Sequence, residues 1–206
     1  MTGRASFDRV RQTAMRLFGE RGVRAVSVDE IALHSGLSKP TIYRNFASKD
    51  ELVAACVAVD GRRRVAALAE AMSSADQTAC SRFRTAAAYV AASFGQADYR
   101  GALASIAAIE FPHGDHPVRQ AAQTAKTQMR DQMLWAAYSL PLERRAPAAD
   151  QILLLIEGAE AVLRTLGADF ARQALIHGVE AAIAAEKGGL AGHEAAPEIL
   201  PGAQQA

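Results

Sequence analysis

Residues 27–53 read SVDEIALHSGLSKPTIYRNFASKDELV. Three serines, Ser27, Ser38 and Ser48, each stand just ahead of a short run of helix-forming residues. A serine in that place accepts a hydrogen bond from a backbone N–H two or three residues on, an amide the helix itself leaves unpaired. Ser27 and Ser48 are each followed three residues later by a glutamate, Glu30 and Glu51, which is the reciprocal pattern of a capping box. Gly36 supplies the left-handed conformation a sharp turn needs. Pro40 falls in the first turn of the next helix, where its missing N–H is not required. The stretch therefore predicts a short helix from Ser27, a turn at Ser35-Gly36-Leu37, a second short helix from Lys39 to Phe46, and a long helix that opens at Ser48 and reaches the low seventies. Upstream, a helix from Ser6 to Arg21 puts Phe7, Val10, Ala14, Leu17 and Phe18 on one face, and Gly22 ends it.

Three short helices, the last two joined by a tight turn, form a helix-turn-helix. Ile42 and Phe46 share a face and make a small core with Ile31, Ala32 and Leu37. The opposite face carries Pro40, Thr41 and Arg44, flanked by Lys39, Tyr43 and Asn45. Those types suit a major groove: arginine pairs bidentately with guanine, asparagine with adenine, and a threonine or proline surface meets the thymine methyl. Tyr43 and Lys49 are placed for phosphates, as are the N–H groups that open the long fourth helix.

The charge distribution agrees. Residues 1–64 hold 12 Lys and Arg against 7 Asp and Glu, whereas residues 65–206 hold 11 against 15. A basic head on an acidic body is expected where one end approaches a polyanion. Beyond the head the chain reads as alanine-rich helices near 76–95, 101–111, 116–139, 149–166 and 169–187. Gly-, Pro- and Asp-containing breaks separate them at Gly95–Gly101, Pro112–Asp115, Pro141–Pro147 and Gly167. The Gly-, Ala- and Pro-rich stretch after Gly188 has no apolar period and is expected to be a flexible tail. The longest uncharged stretches, Thr85–Ala97 and Gln132–Leu142, fall short of the roughly 20 residues of a membrane span. The first ten residues lack the apolar region of a signal peptide. A soluble, cytoplasmic protein without membrane partners is expected. Cys56 and Cys80 have no metal-ligand spacing and read as buried thiols. No P-loop, dinucleotide fingerprint, nucleophile elbow or metalloprotease pair is visible, so neither an enzyme nor a cofactor is expected.

Residues 27–53, with Leu17-Phe18 and Gly22-Val23 before them, resemble the signature of the tetracycline-repressor (TetR) family. The resemblance implies an all-α fold, with a three-helix DNA-binding domain at residues 1–50 and a helical ligand-sensing and dimerisation domain of about six helices at 51–188. Residues 189–206 remain as the tail. It implies repression by a homodimer on a palindromic operator, relieved by a small-molecule effector. Lys39, Pro40, Thr41 and Arg44 would face bases. Tyr43, Asn45 and Lys49 would sit at the backbone, with Ser27 capping toward a phosphate. Asp29 is acidic where phosphate would approach and is left out of this set. A ligand-independent, nucleoid-associated or partner-recruiting DNA binder on the same fold is the alternative.

In the body, Leu155, Ala159, Val162, Leu163, Phe170, Ala174, Gly178 and Ala182 lie on the last two helices, where the resemblance places the dimer. Tyr89, Phe94, Met133, Trp135 and Tyr138 recur at helical spacing and are candidate pocket residues, although core packing accounts for most such side chains. Glu110, His113, Asp115 and His116 offer metal-ligand types inside a loop of Pro and Gly, and Asp115 or His116 suits a helix cap equally well. Arg62-Arg63-Arg64 lies 13 residues beyond Lys49, roughly 20 Å along a helix, and reads as a solvated face.

Overall fold

The computed structural model describes residues 3–96, 99 and 101–188. The expected tail lies outside the described residues, as does part of the Gly95–Gly101 break. The described residues are all helical: α1 (Gly3–Arg21), α2 (Val28–Ser35), α3 (Lys39–Asn45), α4 (Lys49–Ser73), α5 (Ala79–Ser93), α6 (Leu103–Glu110), α7 (Pro117–Ala136), α8 (Leu142–Leu166) and α9 (Ala168–Gly188), with one 3-10 turn at Ala137–Ser139.

Two apolar clusters hold these helices together. The first packs Val10, Ala14, Leu17 and Phe18 of α1 against Ile31, Ile42 and Phe46. It does not stop at α3. Leu52, Val53 and Val57 of α4, Leu103 and Ala107 of α6, and Val118 and Ala122 of α7 belong to the same cluster. The second joins Leu68 and Met72 at the far end of α4 to Phe83 and Val90, Met129 and Met133, Ile152 and Ile156, and Leu175 and Ile183. The helix α4 thus runs through both clusters and ties the small helix-turn-helix head to the body. It crosses α7 closely: a Cβ placed on Gly61 would stand 2.6 Å from the Cβ of Ala125.

The largest departure from expectation is α8, which begins at Leu142 instead of near 149 and carries Pro147 inside it. Proline is tolerated because it stands in the second turn. Its missing N–H deprives only the Glu143 carbonyl of a partner, and its ring meets no more than the first turn. The expected helix over 116–139 ends at Ala136 and tightens into the 3-10 turn. Cys56 is buried, with burial pushing its thiol well up, while Cys80 is half-buried; neither forms a disulfide.

Candidate nucleic-acid interface

Local chemistry sets the geometry of the head. Ser27 accepts from the Glu30 amide while the Glu30 carboxylate accepts from the Ser27 amide, so both ends of the capping box are closed. The Ser27 amide, with the Arg21 guanidinium, holds the Glu30 carboxyl down to about 2. Gly36 closes α2 at φ +66°, with the Leu37 amide returning to the Ala32 carbonyl. Ser38 then caps α3 by accepting from the Thr41 amide, and Ser48 caps α4 by accepting from the Glu51 amide. The second glutamate deviates from the expected box: its carboxylate takes the Ala47 amide at 2.5 Å.

With Ile42 and Phe46 buried beneath it, α3 presents Lys39, Pro40, Tyr43 and Arg44 to solvent. Thr41 and Asn45 are half-buried. The Thr41 hydroxyl lies 2.8 Å from that of Ser38 and accepts from Arg44 at 3.2 Å. The Asn45 amide donates to the Thr41 carbonyl at 2.8 Å, so in this state it spends that donor on its own helix. Lys39 pairs with Asp29 at 2.9 Å across the two helices. The Asp29 carboxylate, set aside in the sequence as repelling phosphate, is thereby tied to the reading helix. Ser27 is engaged in its box. Lys49 is half-buried, with burial lowering its pKa, and donates to the Val23 carbonyl at 2.8 Å. The structure therefore places Lys49 behind the reading face, bracing the α1–α2 loop.

The remaining sequence candidates disperse. Phe94 and Met133 are core residues of the body. Trp135 and Tyr138 are on the surface, under the guanidinium groups of Arg82 and Arg145 respectively. Trp135 lines an open surface groove of about 610 Å³ with Arg62, Val65 and Gln132, and Tyr89 lines a larger opening. This is a cleft of about 670 Å³ between the head (Arg9, Gln12, Arg16) and the body (Arg63, Tyr89, Tyr99). Ala159 and Ala182 are buried in their own chain, and Leu155 packs on Gly178 within the protomer. Phe170 and Ala174 are exposed, and so are Leu154, Gly158, Ala161 and Leu166 of α8 and Ile176 and Ala181 of α9.

In the 110–117 segment, His116 caps α7 by accepting from the Val118 amide, and its Nε2 lies 3.3 Å from Asp50. Glu110 accepts from two backbone amides of the head, those of Val23 and Arg24. No cluster of three or more metal-ligating side chains occurs among the described residues. Arg62 and Arg63 are exposed as expected, but Arg64 turns inward onto Tyr99 and Glu160. Sequence reasoning missed that pairing, because 96 residues separate its ends. No helix among the described residues is long and apolar enough to cross a membrane.

A capped helix-turn-helix with an outward polar reading helix on an all-helical body defines a DNA-binding regulator. Residues 10–56 match the family described as bacterial regulatory proteins, tetR family. Over this head, about a quarter of the chain, the protein is similar to the DNA-binding domain of the TetR-family regulators. None of the curated proteins matches the chain. Solved structures do. A TetR-family transcriptional regulator from Streptomyces coelicolor aligns with a TM-score of 0.80 at 23% identity, covering 87% of this chain and 95% of that one. A TetR-family regulator from Agrobacterium tumefaciens aligns at 0.76 and 19%, covering 87% and 98%. A TetR regulator from Legionella pneumophila aligns at 0.74 and 18%, covering 84% and 94%.

Proposed function

We propose that the protein is a cytoplasmic repressor that binds a palindromic operator as a homodimer and is released by a small-molecule effector. Residues 1–50 would act as the reading head and 51–188 as the sensing and dimerising body. The observation that carries this reading is the exposed face of α3, where Lys39, Pro40, Tyr43 and Arg44 stand clear of a core that uses the other side of the same seven residues. One head reads only half of a palindrome, so two must be held about one DNA turn apart. The exposed apolar strip on α8 and α9, with Leu154 at 71% and Phe170 at 49% exposure, supports a second copy packing there.

The head–body cleft is of effector size and, unlike the more open groove of about 610 Å³ beside Trp135 on the body, it is lined by both parts. A molecule seated in the cleft would touch both parts and bias the angle between them. It needs only to prefer one angle by a few kcal/mol.

Replacing Arg44 by Ala is expected to weaken binding to the preferred DNA sequence by ~1–3 kcal/mol while leaving binding to unrelated DNA almost unchanged. Gel-shift titrations on both DNAs, with Arg84→Ala as a control on the body surface, measure this. Equal losses on the two DNAs would reduce Arg44 to a phosphate contact. No loss on either would move the reading face elsewhere.

A further inference from the structure

The head does not satisfy its own backbone. Helix α1 ends at Arg21, and the loop that follows has amides and carbonyls which an isolated three-helix head would leave to water. Here the body supplies partners for the Val23 and Arg24 amides. The two carboxylate oxygens of Glu110, the last residue of α6, accept from the Val23 amide at 2.8 Å and the Arg24 amide at 2.6 Å. On the other side of that loop, Lys49 at the start of α4 donates to the Val23 carbonyl at 2.8 Å. Arg164, in the last turn of α8, donates to the Gly19 carbonyl. Gly22 fits this arrangement for two reasons. Its φ of +85° disfavours a side chain, and a Cβ there would come within 2.8 Å of the Glu110 carboxylate.

The other end of α6 is anchored as well. Ala102 gives α6 no side-chain cap, and the Leu103 amide at its start donates instead to Asp60, midway along α4, at 3.1 Å. Burial pushes the Asp60 carboxyl up, against the pull of Arg64. Ser105 on α6 donates to Glu157 of α8 at 3.2 Å, and Arg119 of α7 donates to the Ala108 carbonyl at 3.0 Å. The helix α6 is thus a short strut between the middle of α4 and the loop at 22–24, tied to α7 and α8 on the way.

We propose that Glu110 is a latch, a positioning residue through which α6 fixes the angle of the DNA-reading head on the body. The inference rests on the reading of the body as the sensing part, and it names the contact by which sensing reaches the head. Movement of α6 pulls on the loop, because staying behind would exchange the Glu110 hydrogen bonds to two amides for bonds to water. Glu110 accepts from backbone amides, so the latch does not depend on the side chains of Val23 and Arg24. Phe111, next to the latch, lies under the Arg24 guanidinium at 5.4 Å and keeps the same loop seated.

The test compares Glu110→Ala and Glu110→Gln with the unaltered full-length protein, free of DNA. Amide exchange is followed at Val23 and Arg24. The head–body distance is read by electron–electron resonance between labels at Leu33→Cys and Thr127→Cys, with Cys80→Ser and dilution by unlabelled chain. In Glu110→Ala, exchange at both amides is expected to rise about tenfold or more, and the distance distribution to broaden. Glu110→Gln keeps one amide acceptor and should fall between. If Glu110→Ala exchanges faster but keeps a narrow distance, Glu110 is a local cap and the latch is overturned. An unaltered distance in Glu110→Gln overturns it too, should the alanine variant not fold. Neither readout involves an effector. A protein whose DNA affinity no small molecule changes would sink the effector reading and leave these results standing.

Discussion

Glu160→Ala is expected to lower the free energy of unfolding by about 3–5 kcal/mol. The Glu160 side chain is 4% exposed and that of Arg64 19%, and the two are in direct contact. The Tyr99 hydroxyl donates to the same Glu160 oxygen and accepts from Arg64 at 3.1 Å. Burial opposes the charge on Arg64, but Glu160 and Tyr99 overcome it and hold the guanidinium firmly protonated. Removing the carboxylate leaves that guanidinium enclosed, with Asp60 one helical turn away as its remaining acidic neighbour. The carboxyl of Asp60 is itself pushed up by burial, so the rescue is partial. The second oxygen of Glu160 is buried without a hydrogen-bond partner. The native pair is therefore incompletely satisfied, and replacing both partners, as Arg64→Met with Glu160→Leu, should recover most of the loss. Urea titrations of the two variants decide this. A loss below about 1 kcal/mol for Glu160→Ala would mean that water reaches the pair and screens it.

Gly61→Val should cost about 3 kcal/mol through overpacking. At this crossing α4 meets α7 with no room between them: beyond the 2.6 Å approach to the Ala125 Cβ, the Ala125 Cα is at 3.3 Å. Neither atom can rotate away. The helices themselves must part, along the contact that joins the two apolar clusters. Valine is also stiff at χ1, so it cannot turn its methyls out of the gap. The compensating variant Gly61→Ala with Ala125→Gly transfers one methyl across the crossing and should regain most of the stability. Thermal and denaturant unfolding of all three proteins test the argument. If the exchanged pair is as unstable as Gly61→Val, the crossing is not the cause.

The head was legible because its signals are local. Serine caps, glutamate partners three residues on, a turn glycine and a first-turn proline all act within one helical turn, and each has the expected partner except Glu51, which slips to Ala47. The body was legible as helix but not in its joints. Pro147 reads as a break in any local pattern, yet at the sixth position of α8 it removes only one bond. The functional wiring was the least legible part. Glu110 had the look of a loop residue or a metal ligand, and nothing near it in sequence points to amides 86 and 87 residues earlier. Arg64 sits in a run of three arginines of which two are solvated, and its burial depends on a glutamate on another helix. Aromatic spacing was equally uninformative: it describes core and surface alike, and Phe94 went to one while Tyr138 went to the other.

Pocket and interface residues were partly displaced for the same reason. Periodicity says which residues share a face of a helix; it does not say which neighbour covers that face. Ala159 and Ala182 share helices with the proposed interface but face their own core, and the outward strip falls to Leu154, Ala161, Phe170 and Ala174.

The central claim is that two copies of the α3 face read DNA together. Selection from random-sequence DNA by the purified protein, repeated with Arg44→Ala, tests it most directly. The account predicts a palindrome whose half-sites are centred about 10 base pairs apart, or a multiple of that spacing, with the base preference within each half-site lost in the variant. Enrichment of no motif, or of the same motif by both proteins, would contradict it.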